Sequence, residues 1–206
     1  MFISKGLQLS IKRSADVLIA LLMIAAFWPL FLLIALMVKC TSRGPVLFVQ
    51  ERIGLKSRIF RIYKFRTMTH DPGHQALEWS KVEEMRITKI GKMLRNYGLD
   101  ELPQVMNILK GDMSIIGPRP PLAIYLRNFS NVQRRMFDMR PGVLSLAAVS
   151  GRRSITMDQR TELHCHYVDN WSLALDVRIL WRSLSVVLLK KYASEGSVSG
   201  DEVAER

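Results

Sequence analysis

Two neighbouring carboxylates, Asp100 and Glu101, lie just before a proline in the segment GLDELPQ. A carboxylate can attack a phosphorus atom when a metal ion or nearby cations screen the charge of the phosphates. The segment also fits a helix start, because a cap at Asp100 would let both carboxylates project from the N-terminal end and Pro103 is tolerated in a first turn. Acidic residues there complement the helix dipole, so the pair alone fits an ordinary helix start as well as a catalytic site.

Two arginines in constrained surroundings are candidate anion contacts. Arg119 stands between Pro118 and Pro120, whose rings fix the backbone, and a guanidinium held in this way can bind a phosphate or diphosphate bidentately. Arg152 follows Gly151, which allows the backbone to approach a ligand closely. Each stretch also has a simpler interpretation, a rigid connector for the first and a surface turn for the second.

The balance of charges narrows the class of partner. The chain has 206 residues, enough for one domain, with a formal net charge of +12 and a pI near 10.1. This balance favours nucleic acid, a phosphate-bearing substrate or the anionic face of a membrane. Nucleic acid is disfavoured as a partner because the basic residues flank an apolar segment and no common recognition motif is present. The two cysteines form no CxxC pair, which indicates a reducing compartment.

The apolar segment covers residues 17–38, 22 residues without a charge. A helix of that length reaches about 33 Å, enough to cross a bilayer, so we expect the protein to be held in a membrane. Basic residues lie on both sides of the segment, and Pro29 lies inside it. These features allow a re-entrant helix that breaks at Pro29 and returns to the cytoplasmic side, although an ordinary spanning helix also tolerates proline.

The elements that must position these residues can be predicted from local patterns. VLFVQ (46–50) and IFRIYKF (59–65) predict an antiparallel hairpin, and helices are expected over 90–96, 101–109, 122–137, 157–170 and 172–192. The last helix is amphipathic and would lie in a core or on a bilayer surface. A net charge of +7 over residues 39–68 would face anionic headgroups. The absence of a GxGxxG motif removes the usual sign of a Rossmann-type nucleotide site.

The order of the motifs is more specific than any one of them. KRSAD (12–16) introduces the apolar segment, and KFRTM (64–68), RITKIGKMLRNYGLDELPQVMNILKGDMSIIGPRP (86–120), RPG (140–142), GR (151–152) and YVDNWSLALDVRIL (167–180) follow it. This combination closely resembles the bacterial sugar transferase family, the monotopic polyprenyl-phosphate phosphoglycosyl transferases, from about residue 12 to residue 180.

The resemblance implies a phosphoglycosyl transferase. Such an enzyme moves a sugar 1-phosphate from a UDP-sugar to polyprenyl (undecaprenyl) phosphate and releases UMP, the first membrane step of polysaccharide or glycoconjugate synthesis. By resemblance, Asp100 would form a covalent phosphosugar intermediate, and Asp100 and Glu101 would hold Mg²⁺. The family's basic positions, which would contact phosphates or the uridine part, correspond to Lys64, Arg95, Arg119 and Arg152. Membrane lipid and downstream glycosyltransferases are the further partners expected.

The fold implied is α+β and mostly α, not Rossmann. Residues 1–40 would form a membrane-embedded re-entrant helix broken at Pro29. Residues 41–192 would form a catalytic domain with a small β-hairpin and several amphipathic helices at the membrane surface, and residues 193–206 a disordered tail. The expected location is the bacterial inner membrane, with the catalytic domain on the cytoplasmic face.

Some positions differ from the family pattern: Trp28, Gly98, Leu144, Ser145, Ala148 and His164. Trp28 stands where a serine often precedes the proline, and His164 stands where an aspartate is expected. Leu144, Ser145 and Ala148 replace the usual threonine, glycine and glutamine. These differences leave Asp100 in place but keep one alternative open, a non-catalytic membrane scaffold of polysaccharide assembly.

Overall fold

The computed structural model describes residues 4–69, 86–150 and 156–188, and these confirm a mostly helical α+β chain. The helices are α1 Lys5–Thr41, α2 Lys89–Tyr97, α3 Val105–Lys110, α4 Leu146–Ser150, α5 Met157–Asp169 and α6 Leu173–Leu188. The strands are β1 Leu47–Ile53, β2 Ile59–Phe65, β3 Ser114–Ile116 and β4 Gly142–Leu144. Short 3₁₀ segments cover Leu55–Ser57, Leu99–Gln104, Ala123–Asn128 and Gln133–Asp138. The predicted disordered tail, residues 193–206, lies outside the described residues.

The predicted hairpin is confirmed. Strands β1 and β2 pair antiparallel, from Leu47 opposite Phe65 to Ile53 opposite Ile59. On β2, Ile62 packs in a cluster with Ala20 of α1, and Phe65 packs in a second cluster with Ile34. The hairpin is therefore fixed against α1 through β2, the strand that carries the predicted site residue Lys64.

The apolar segment lies within α1, a single helix of 37 residues that is long and apolar enough to cross a membrane. The helix continues through Pro29, so this proline does not end it here. One face packs on the rest of the protein through Ala20, Ile34 and Val38. Away from that face, the uncharged segment 17–38 exposes many apolar side chains, Leu22 and Leu33 among them. Such a surface suits contact with lipid.

The helix predicted over residues 122–137 is wrong. The chain forms two 3₁₀ segments there, Ala123–Asn128 and Gln133–Asp138, separated by extended backbone at Phe129 (φ −78°, ψ 125°). Between them, Ser130 and Gln133 bond reciprocally: the Ser130 N–H donates to Gln133 Oε1 at 2.9 Å, and the Gln133 N–H donates to Ser130 Oγ at 3.3 Å. Local bonds of this kind compete with the helical backbone pattern and explain the interruption.

A second sheet was not predicted. Strands β3 and β4 pair in parallel, with Ser114 opposite Gly142 and Ile116 opposite Leu144. The backbones approach so closely that a Cβ atom on Gly142 would lie 2.0 Å from the backbone nitrogen of Gly117. Only glycine fits at such a crossing. The RPG and GPRP motifs therefore meet here, and they fix the loop that carries Arg119.

Candidate active site

The carboxylate pair lies in the 3₁₀ segment Leu99–Gln104, called the acidic turn below. Helix α2 ends at Tyr97 and is capped by Gly98, whose left-handed backbone (φ 68°) is favourable for glycine, and the acidic turn begins at the residue after Gly98. The cap is therefore Gly98, not Asp100 as expected, because the left-handed residue that ends α2 also starts the turn. Asp100 and Glu101 still lie in the first turn, and α3 follows directly.

Glu101 accepts two charged hydrogen bonds on one oxygen. Lys64 Nζ donates to Glu101 Oε1 at 2.7 Å, and Arg119 donates to the same atom at 3.0 Å. Burial would raise the pKa of Glu101, but Arg119 and Lys64 together lower it to about 2. The structure thus brings together three predicted site residues from three elements: β2, the acidic turn and the loop after β3.

Asp100 has a different electrostatic environment from its neighbour. Burial raises the pKa of Asp100; Lys64 and Arg95 lower it, and the charge of Glu101 raises it, so the pKa stays above the usual value. A carboxylate with a raised pKa is more basic, and hence a stronger nucleophile once ionised. The two acidic residues are therefore electrostatically distinct: the pKa of Glu101 is lowered, whereas the pKa of Asp100 is raised.

Arg95 is positioned through the KFRTM motif. Its Nε donates to Thr67 Oγ1 at 2.8 Å. Helix α2 approaches this segment closely, since a Cβ on Gly91 would lie 1.9 Å from the Thr67 carbonyl oxygen. This contact holds α2 against the end of β2, where Lys64 lies, and so places Arg95 within electrostatic reach of Asp100.

Sequence reasoning missed Arg52 as a residue of this site. Its guanidinium donates to the Pro120 carbonyl at 3.1 Å and to Gln50 Oε1 at 2.7 Å. Burial, followed by the charge of Arg119, lowers the pKa of Arg52 to about 10. We expected this basic stretch to face lipid headgroups, and nothing in the sequence distinguished Arg52 from its basic neighbours. A small cleft joins it to the carboxylate, lined by Arg52, Ile62, Lys64, Glu101, Gln104, Arg119, Pro120 and Gly142.

Helix α5 brings further basic groups toward Arg119. Burial lowers the pKa of His164 to about 4, and the charges of Arg160 and Arg119 add to this effect. His164 is therefore neutral at neutral pH, where the family's usual aspartate would be negative. Arg160 also has a lowered pKa, first through burial and then through Arg119. No motif in the sequence indicated that Arg160 lies near the site.

The remaining predicted positions differ in what the structure shows of them. Arg152 lies outside the described residues. Leu144 belongs to β4. The buried Ser145 accepts a hydrogen bond from the Ala148 N–H at 3.2 Å, so Ser145 and Ala148 bond to each other at the start of α4. Trp28 is exposed on α1 beside Pro29.

The acidic pair has the donor chemistry that Mg²⁺ requires. This ion prefers oxygen ligands and is commonly held by one or two carboxylates together with substrate phosphates. Within residues 4–69, 86–150 and 156–188, no group of three or more His, Cys, Asp or Glu residues could hold a metal on its own. Asp100 and Glu101 offer two carboxylates, so they would hold the ion together with ligands from a bound diphosphate and water.

Comparison with known proteins identifies the family. The sequence pattern of the bacterial sugar transferases matches residues 7–190. The chain is 37% identical over 181 residues to the uncharacterized sugar transferase EpsL of Bacillus subtilis, covering 88% of this chain and 89% of EpsL. It is 39% identical over 184 residues to the UDP-N-acetylgalactosamine-undecaprenyl-phosphate N-acetylgalactosaminephosphotransferase of Aeromonas hydrophila, covering 86% of this chain and 44% of that protein.

A third relative is the UDP-glucose:undecaprenyl-phosphate glucose-1-phosphate transferase of Klebsiella pneumoniae, 35% identical over 196 residues. The alignment covers 91% of this chain and 42% of that protein, so the chain spans less than half the length of these two functionally named relatives. The resemblance inferred from the motifs is confirmed, and the phosphotransferase names of the Aeromonas and Klebsiella relatives agree with the predicted enzyme class. The chain belongs to the bacterial sugar transferase family.

Proposed function

We propose that the protein transfers a sugar 1-phosphate from a UDP-sugar to undecaprenyl phosphate and releases UMP, as a first membrane step of polysaccharide or glycoconjugate synthesis. The observation that carries the proposal is the acidic turn, in which Asp100 and Glu101 lie among Lys64, Arg95 and Arg119. Such a site can accept a diphosphate and offer it a carboxylate nucleophile. Reactions of this kind are named for the Aeromonas and Klebsiella relatives, with N-acetylgalactosamine and glucose respectively.

In the first half-reaction, a carboxylate oxygen of Asp100 attacks the β-phosphorus of the UDP-sugar. The bond between that phosphorus and the bridging oxygen breaks, and UMP leaves with the electron pair. Asp100 then carries the sugar phosphate as an acyl phosphate. Its raised pKa supports this role, since the more basic of the two carboxylates is the better nucleophile.

In the second half-reaction, a phosphate oxygen of the lipid acceptor attacks the same phosphorus. The bond to Asp100 breaks, which restores the carboxylate and releases a sugar linked to the lipid by a diphosphate. Arg119 and Lys64, already paired with Glu101, hold negative phosphate oxygens in both steps. Mg²⁺ bound by Asp100 and Glu101 would neutralise part of the diphosphate charge.

Residues at both ends of α1 contact the same globular part of the protein. Near the start, Lys12 Nζ bonds Asp176 of α6 at 2.7 Å, and near the end, Arg66 donates to the Val38 carbonyl at 3.2 Å. A helix that crossed the bilayer would separate its ends by about 30 Å of hydrocarbon, with the globular part on one side only. These contacts support a monotopic path, in which both ends of α1 lie on one side of the membrane, and we propose that this side is the cytoplasmic face of the inner membrane.

Cysteine labelling tests this path. A cysteine at Ser4, in a chain with Cys40 and Cys165 changed to serine, should resist impermeant thiol reagents in intact cells and react once the cells are opened. Labelling from outside would mean a spanning helix and would refute the re-entrant path.

The reaction is tested by UMP release from detergent-solubilised protein. A panel of UDP-sugars is supplied with undecaprenyl phosphate and Mg²⁺, and Asp100→Asn is compared with the unchanged protein. Release with one donor, lost in the variant, would support the proposal and name the sugar. Omitting the acceptor should leave labelled sugar phosphate on the protein but not on the variant.

Folded protein that releases no UMP across the panel would refute the proposed transfer. The scaffold alternative would then gain support if Asp100→Asn left glycan production intact in cells while deletion of the gene abolished it.

A further inference from the structure

Three charged residues near the start of α1 point into the protein. Lys12 and Asp16 are 8% and 5% exposed, and Arg13 is hydrogen-bonded to backbone of the globular part. Charged residues beside a membrane helix ordinarily stay in contact with water or lipid headgroups. Lys5, on the same helix, is exposed in that way. Contact with a membrane surface therefore does not explain the inward placement of Lys12, Arg13 and Asp16.

Arg13 binds the helix that continues the acidic turn. It donates from one guanidinium nitrogen to the Ile108 carbonyl at 2.8 Å and from the other to the Leu109 carbonyl at 3.3 Å. Both carbonyls belong to the last turn of α3, where the Ile108 carbonyl also accepts from the N–H of the capping residue Gly111 at 3.0 Å. Helix α3 follows directly on the acidic turn, so Arg13 fixes the element that positions Asp100 and Glu101.

Lys12 and Asp16 bind the strand that leads to Arg119. Asp16 Oδ1 accepts from the Ile115 N–H at 3.0 Å, and Lys12 Nζ donates to the Ile116 carbonyl at 2.9 Å. These are neighbouring residues of β3, and Arg119 follows three residues after Ile116. The loop between them is held by bonds to β4, including that from the Gly142 N–H to the Pro118 carbonyl at 2.9 Å.

Asp176 holds the ammonium group of Lys12 in place. It bonds Lys12 Nζ at 2.7 Å through Oδ2, the same atom accepts from Trp171 Nε1 at 3.1 Å, and Oδ1 accepts from Tyr167 OH at 2.6 Å. These partners come from the YVDNWSLALDVRIL motif, to which neither the sequence nor the proposed chemistry gave a role. The KRSAD motif (12–16) and the YVDNWSLALDVRIL motif (167–180), which lie far apart in sequence, thus meet in one buried network.

We infer that Lys12, Arg13 and Asp16 are positioning residues for the active site, so that α1 orders Glu101 and Arg119 as well as anchoring the protein. Helix α1 makes two hydrogen bonds to α3, which follows the acidic turn of Glu101, and two to β3, which precedes Arg119. The inference rests on the proposed role of Arg119 in binding phosphate.

The test separates positioning from stability and from membrane insertion. Lys12→Met leaves Asp176 as a buried charge without its cation and should lower the melting temperature, whereas Lys12→Met with Asp176→Asn removes both charges. The double variant should regain most of the melting temperature, yet its Ile116 carbonyl still lacks the ammonium group. Lys5→Met, which removes the same charge from an exposed position, is the matched control.

We expect the double variant to remain in the membrane fraction and to lose at least tenfold in kcat for UMP release, with Lys5→Met unaffected. Backbone amides of residues 115–117 should exchange with solvent faster than in the unchanged protein. When Arg119→Lys is added to the double variant, the total loss in kcat should be no larger than that of Arg119→Lys alone, because both changes act on one group.

Full kcat in the folded double variant would overturn the inference, as would a loss that multiplies with that of Arg119→Lys. An equal loss in Lys5→Met would assign the effect to charge beside the membrane.

If the double variant does not fold, Arg13→Gln tests the contact of α1 with α3, and Arg13→Lys is expected to retain more activity than Arg13→Gln. Full activity in both Arg13 variants would overturn the inference. If the unchanged protein releases no UMP, the proposed function fails, and amide exchange at 115–117 alone decides the inference.

Discussion

Changing Glu101 to glutamine tests the electrostatic basis of the site. The substitution keeps the size of the side chain and an oxygen acceptor but removes the charge shared by Lys64 and Arg119. Glu101 is 20% exposed and Lys64 17%, so solvent screens the pair only in part. Removing one member of a buried ion pair leaves the other charge uncompensated, which is strongly destabilising.

The magnitude follows from the pKa of Glu101. Its pKa is lowered from 4.5 to about 2, and at 1.36 kcal/mol per pKa unit this corresponds to about 3 kcal/mol of stability at pH 7. For a chain of this size, such a loss lowers the melting temperature by roughly 10 °C. Glu51→Gln, on the exposed side of β1, is the matched control and should change stability by less than about 1 kcal/mol.

The dependence on pH gives a second test. Because the pKa of Glu101 is lowered in the folded state, its contribution is complete above about pH 4.5 and is lost as the pH falls toward 2. Melting in detergent, followed by fluorescence at pH 7 and pH 3, should show a difference between the unchanged protein and Glu101→Gln that falls by more than half. A variant as stable as the unchanged protein at pH 7, or a difference independent of pH, would refute this account of the site.

Three further predictions concern other residues. The rate of UMP release should fall on the acid side through the raised pKa of Asp100, whereas Glu101 stays ionised to about pH 2; an acid limb that vanished in Glu101→Gln would contradict this assignment. Stability should also fall as the pH drops from about 6.5 toward 4, because burial lowers the pKa of His164, and melting of His164→Gln should show less of this dependence. Gly142→Ala should melt at a lower temperature by several degrees, because its Cβ would lie 2.0 Å from the Gly117 nitrogen, whereas Gly6→Ala has no atom within 4 Å and should be neutral.

Local patterns predicted several of the longer elements correctly, although not the helix over residues 122–137. The hairpin, the helix at 90–96 and the helix at 157–170 agree with β1–β2, α2 and α5 to within a few residues, because alternation and helical periodicity are recorded in neighbouring residues. The order of the motifs implied that Lys64, Glu101 and Arg119 belong to one site. No local rule predicts their contact, because Lys64 and Arg119 lie 37 and 18 positions from Glu101 in sequence. Their contact depends on the packing of β2, α1 and β3.

The parts that were missed depend on contacts distant in sequence. Strands β3 and β4 have three residues each, too few to show a period, and their pairing needs the close approach of Gly117 and Gly142. Arg52 and Arg160 lie near the site only because the hairpin and α5 pack beside the Arg119 loop. A basic residue has no local signal that distinguishes a substrate contact from a contact with lipid headgroups.

Several basic residues lie close together around the acidic turn, although their like charges repel one another. Burial lowers the pKa of Lys64, Arg52 and Arg160, and Arg119 lowers each of them further, although Glu101 opposes this for Lys64 and Arg52. A lowered pKa of a basic group means that the charged form is less stable in the fold than in water. A bound diphosphate would supply the missing negative charge in a site partly shielded from solvent, where each interaction is stronger than in bulk water. The repulsion between these basic groups thus reduces the stability of the free protein, and a phosphate-bearing substrate would relieve that repulsion when it binds.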